Sequence, residues 1–115
     1  MKKTDKKIEK KLISALTHVC DLALDRVEGF QWLTHRTNFN SFPDSLSIIC
    51  IFESVDILEK ATLSGSTDTL YELIYCELKA ADILLTDIRK HVLFDTEEAC
   101  KGEHDGKWNI RLRKH

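Results

Sequence analysis

Five histidines, four cysteines and nineteen acidic side chains in 115 residues offer several pairings that could do chemistry. Pro43-Asp44 followed by Glu77-Leu78-Lys79 has the residue types of the PD…(D/E)xK nuclease signature. That chemistry needs two carboxylates converging on Mg²⁺ and a lysine beside the attacking water. In the signature the second element lies on a strand, whereas Glu77 and Lys79 fall in the middle of a predicted helix and diverge. They are read as a solvated helix face after a turn proline. Cys100 and His104 are four apart on a predicted helix and share a face, but a structural zinc site needs four ligands and no second pair matches. His18 and Cys20, two apart on a helix, diverge. A catalytic cysteine needs a nearby histidine and a depressed pKa, yet each cysteine here sits among Ile, Leu, Val or Ala and is expected to be buried. No GxSxG, Walker loop or GxGxxG occurs. The pattern predicts no catalytic residue, no metal and no cofactor. What remains is a group on predicted strands, Trp32, Leu33, His35, Arg36, His91 and Leu93, as a binding or interface surface.

These residues are positioned by a hairpin in GFQWLTHRTNFNSFPDSLSIICIFE, residues 29–53. Residues 30–38 alternate, with Phe30, Trp32, Thr34 and Arg36 on one side and Gln31, Leu33, His35 and Thr37 on the other. Asn38 to Asp44 hold Asn, Ser and the only proline and make the turn. SIICIF is apolar on both faces, which marks a central strand. Before the hairpin, Ile8, Leu12, Ala15, Leu16, Val19, Ala23 and Val27 form one face of a helix over 4–28, capped by Thr4 or Asp5 and stopped by Gly29. After it come a helix over 55–63 started by Ser54 and a longer one from about 66 to 86. A strand over 88–94 follows, then a short helix with Asp95-Thr-Glu-Glu98 as its capping box. The tail KWNIRLRKH alternates Trp108, Ile110 and Leu112 with polar residues.

The order helix, strand, strand, helix, helix, strand, short helix predicts an α+β fold. It is a single domain over 1–115, a two-layer sandwich of a three-stranded sheet with the long helices on one face. The third strand can return antiparallel to the second, or parallel through a single crossover. Two layers leave one sheet face open. With Phe30, Trp32, Val92 and Phe94 toward the helices, that open face carries Leu33, His35, His91 and Leu93, an apolar patch suited to a twofold homodimer.

Composition narrows the classes. At 43% hydrophobic and 31% charged, the chain reads as an ordinary globular domain, long enough to fold without disulfides. A net charge of −2 argues against a general nucleic-acid binder. The lysines at 2, 3, 6, 7, 10 and 11 read as a solvated face. No apolar run follows them as a secretory signal would require, and none is long enough to span a membrane. With no CxxC pair, reduced thiols and a cytoplasmic location are expected.

The hairpin VEGFQWLTHRTNFNSFPDSLSIICIF and the later HVLFDTEEAC…GKW resemble a family of short, uncharacterised bacterial proteins, over most of the chain. The resemblance implies no established activity. Some members carry the label of Fis-type transcriptional regulators, and Thr69 to Leu78, TLYELIYCEL, is similar to the stretch DLYELVLAEV in a dimerisation helix of Fis. Fis reads DNA with a helix-turn-helix, whose counterpart would lie after residue 86. A strand, an acidic cap and a short tail stand there instead, so its DNA-reading residues have nothing to map onto. The leading expectation is a non-catalytic homodimeric interaction module. The alternatives are a nucleic-acid-associated regulator using the Lys-rich helix with Arg111, Arg113 and Lys114, and a small enzyme with a site around Trp32, His35, Arg36 and His91.

Overall fold

Five of the six residues in Ser47–Phe52 (β2) are buried, and a strand that apolar on both sides must be central. A computed structural model, describing residues 2–115, places it there, in a sheet of order β1-β2-β3. Its antiparallel neighbour is Phe30–Arg36 (β1) and its parallel neighbour Val92–Thr96 (β3). Between β2 and β3 the chain crosses over through Val55–Ser64 (α2), Ser66–Ala80 (α3) and the single turn Ile88–His91 (α4). A crossover of this length returns the third strand parallel.

The long helices lie on one face of an α+β fold, as their stripes require. Leu12, Leu16 and Val19 of Lys3–Arg26 (α1) and Leu70, Ile74 and Leu78 of α3 share a core with Ile48, Cys50 and Phe52. Helix α1 starts at Lys3 rather than at a Thr4 or Asp5 cap, and the Asp5 carboxylate accepts the Lys2 N–H. It runs into Gly29, whose φ of +85° lies in the left-handed region. A Cβ there would also collide with the Ile57 side chain, so the turn and the packing both demand glycine. The α2 start is as expected, with Ser54 Oγ accepting from Ile57 N at 3.2 Å. Helix α3 stops about six residues short of the expected end. Asp82 adopts φ 63°, and the Ile83 N–H bonds back to the Leu78 carbonyl at 2.8 Å. This is a Schellman stop with aspartate in the usual glycine position.

Two local features shift the expected frame. Gln31 is an extra residue in β1: Phe30 pairs with Phe52, but Trp32 already pairs with Ile51. The bulge puts Phe30, Leu33 and His35 on the helix face and Trp32, Thr34 and Arg36 on the other, contrary to plain alternation. Residues 88–91 form a helical turn, so β3 begins only at Val92 and includes Asp95 and Thr96. Thr96, not Asp95, caps the next helix, Glu97–His104 (α5), accepting from Ala99 N at 3.0 Å.

The second face of the sheet is not open. Trp108–Arg111 (α6) and the 3₁₀ turn Leu112–Lys114 lie across it, tied to Trp32 and Arg36 of β1 and to Asp95 of β3. Ile49 and Ile51 of β2, between those ties, are wholly buried. The apolar patch expected on an open face is therefore absent: the tail covers the Ile49 and Ile51 side, the bulge turns Leu33 and His35 to the helix side, and His91 lies in α4. No helix among the described residues is long and apolar enough to cross a membrane.

Candidate functional site

The densest polar cluster lies where the tail meets β3. The Asp95 carboxylate accepts from Thr96 N at 2.8 Å, from Arg111 Nε at 2.6 Å and Nη2 at 2.8 Å, and lies 2.7 Å from His115 Nε2. Both the Asp95 and Arg111 side chains are 6% exposed. Burial pushes the Asp95 carboxyl up, but the bonds from Arg111, His115 and the Thr96 N–H more than reverse this and hold it at about 2. Its bonds to Asp95 raise the Arg111 pKa further, against the burial. Arg111 Nη1 also donates to Glu103, to the Ala99 carbonyl at 3.4 Å and to His104 Nδ1 at 3.2 Å.

Beside this cluster the Glu97 carboxylate takes two indole N–H groups, from Trp32 at 2.6 Å and Trp108 at 3.3 Å. The two rings meet edge to face with centroids 5.0 Å apart. Arg36 donates to the Leu112 carbonyl. Among the described residues no buried side-chain nitrogen or oxygen lacks a partner. Every group here is engaged by the fold, and the cluster works as a latch that holds the tail on the sheet. Its members Asp95, Glu97, Trp108 and His115 were not among the sequence candidates. Their signals were the reading of Asp95 to Glu98 as a helix start and the alternation of Trp108, Ile110 and Leu112 in the tail.

The residues singled out from the sequence do not form one site. Trp32 and Arg36 serve the latch. Leu33 and His35 lie under α1, bordering a hollow with Ile13, Leu16, Thr17 and Cys20. His35 is half-buried and burial lowers its pKa, with Glu9 opposing. His91 belongs to α4, its Nδ1 2.7 Å from the Leu46 carbonyl. Leu93 pairs with Ile49 on the tail side. His104 turns to Arg111, and no group of three or more His, Cys, Asp or Glu among the described residues is placed to hold a metal ion. Cys50 and Cys100 are buried, and burial pushes the Cys50 thiol up to about 12. Cys20 is only half-buried and Cys76 is exposed, against the expectation that all four lie inside.

Of the nuclease-like residues, Asp44 is exposed in the turn and Glu77 faces α1 rather than Asp44. The Glu77 carboxylate lies 2.8 Å from His18 Nδ1, at one end of an open groove of about 630 Å³. The groove runs between the N-terminal half of α1 and the end of α3. Ala15, Ala80, Ala81 and Ser14 make a floor of small side chains, rimmed by Lys7, Lys10 and Lys11. It stays open because the stop at Asp82 removes the next turn of α3. Lys11 reaches Asp82 at 3.9 Å, whereas Lys7 and Lys10 have no acidic partner among the described residues. An apolar floor under unpaired ammonium groups suits a segment that carries both apolar and acidic side chains. Compared with known protein families, curated proteins and solved structures, the chain matches none.

Proposed function

We propose that the protein acts by association rather than catalysis, as a binding module whose α1–α3 groove receives an acidic, partly apolar segment of a partner protein. The groove carries this reading, since its two unpaired lysines sit over an uncovered apolar floor. The satisfied latch supports it from the other side: its carboxylates, guanidinium and indoles all face one another. A net charge of −2 and the small number of lysines on the rim favour a protein partner over duplex nucleic acid.

The test is titration with a labelled peptide of Glu and Leu at helical spacing, beside its Gln-for-Glu counterpart and a random-sequence duplex. The acidic peptide should bind at roughly 10–100 μM, more weakly as salt rises, and Lys7→Glu/Lys10→Glu should abolish the binding. Equal binding of the Gln peptide, or of the acidic peptide to the variant, removes the groove. Tighter binding of the duplex would favour the regulator reading instead.

A further inference from the structure

We infer that a second copy of this chain docks along the outer face of α1, the two helices running antiparallel about a twofold axis near Thr17 and His18. The inference extends the association reading to a self-partner, on the outer face of α1, which shares Lys10, Ser14 and His18 with the edge of the groove. Two large apolar residues of α1 remain in solvent, Ile13 at 47% and Leu24 at 54% exposed. They are eleven residues apart, about three turns, which returns them to within about 20° of one another on the helix. One stripe of α1 is thus apolar at two points while facing away from its own core.

The charges beside that stripe are polarised. In the N-terminal half lysines 3, 6, 7, 10 and 11 outnumber Asp5 and Glu9, and in the C-terminal half Asp21 and Asp25 outnumber Arg26. Lys6, Lys10, Asp21 and Asp25 are all exposed, and none has an ion-pair partner among the described residues. A parallel pairing would set lysine against lysine. In an antiparallel pairing centred between Thr17 and His18, Lys10 lies opposite the second copy's Asp25, and Ser14 opposite its Asp21. Ile13 then falls within about 3 Å along the axis of the second copy's Leu24. Each contact occurs twice, because a twofold interface is self-complementary. The stripe from Lys6 to Asp25 spans about 30 Å, so the contact uses almost the whole helix. A single helix pair lies at the small end of specific interfaces, which makes this a weak, reversible dimer.

Sedimentation equilibrium of the intact chain tests it. At roughly 100 μM and low salt the wild type should approach the dimer mass, in keeping with a small interface. Lys10→Glu and Asp25→Lys should each raise the dimer Kd about tenfold, since each turns two attractions into two repulsions. The combined variant should return to within about threefold of wild type, because the pair is only reversed. Leu24→Asp, at an exposed position, should give a folded monomer with an unchanged urea midpoint. A monomeric wild type, or a double variant as weak as the singles, overturns the inference. Acidic-peptide binding, measured well below the dimer Kd so that the shared edge of the groove is free, should be unchanged in Asp25→Lys; failure of the dimer then leaves the groove standing and failure of the groove leaves the dimer standing.

Discussion

Replacing Arg111 by Met removes a planar cation of five N–H donors from the latch and leaves Asp95 beneath the tail without its main partner. Two routes bound the cost. The Asp95 carboxyl falls from 3.8 to about 2 under Arg111, His115 and the Thr96 N–H together, and at about 1.4 kcal/mol per pKa unit these contacts stabilise the carboxylate by roughly 2–3 kcal/mol net of burial. Breaking a buried ion pair by deleting one partner costs about 3–5 kcal/mol, because the remaining charge stays desolvated. The side chains are each 6% exposed, so the buried case applies. Arg111→Met should therefore lose roughly 3 kcal/mol, read by urea unfolding with Trp32 and Trp108 fluorescence, whose indoles sit on the same latch. Arg111→Met with Asp95→Leu should lose less than half as much, since no charge is left to desolvate. A single-variant loss below about 1 kcal/mol with an unchanged m-value would mean that water already reaches the pair and the tail does not depend on it.

Two further outcomes concern the same carboxylate and the thiols. Asp95 has a folded-state pKa below its unfolded value, so its contribution is complete above about pH 4 and is lost as pH falls toward 2. The stability difference between wild type and Asp95→Asn should shrink over that window in urea titrations, and a constant difference would refute the assignment. In native protein a maleimide should label exposed Cys76 within minutes, Cys100 of α5 far more slowly, and Cys50 only after unfolding. Fast native labelling of either buried thiol would show that the core opens readily.

Most of the frame is legible in the sequence because it rests on long periodic runs. The stripe of α1, the doubly apolar β2 and the Ser54 cap each repeat one signal over many residues or carry it in a single specific contact. What escapes is set by single residues against their local signal. One inserted residue, Gln31, inverts which side of β1 faces the helices, and no feature of FQWLTHR marks it. Asp95 has the look of a helix cap from its spacing to Glu98. The partner that claims it, Arg111, lies sixteen positions away, and the Glu98 carboxylate instead accepts from Val55 N at 3.0 Å. The groove is tertiary altogether, made where small residues of two distant helices meet.

The parallel pairing of β3 has a kinetic consequence. The β1–β2 hairpin closes over a short turn, whereas β2 and β3 meet only after about forty intervening residues have been arranged, and loop closure is correspondingly more costly. The tail touches β1 through Trp32 and Arg36, but its buried ion pair forms only once β3 brings Asp95 into place. Strand β3, α5 and the tail should thus behave as one unit, assembling last on a framework of α1, β1, β2 and α3 and opening first. Amide exchange should divide the chain along this line: the N–H groups of Val92 to Thr96 and of α6 exchange together, ahead of those linking β1 to β2. A sub-global opening of this kind would expose Ile49 and Ile51 while α1 stays folded, giving the chain an intermittent apolar face that its resting state conceals.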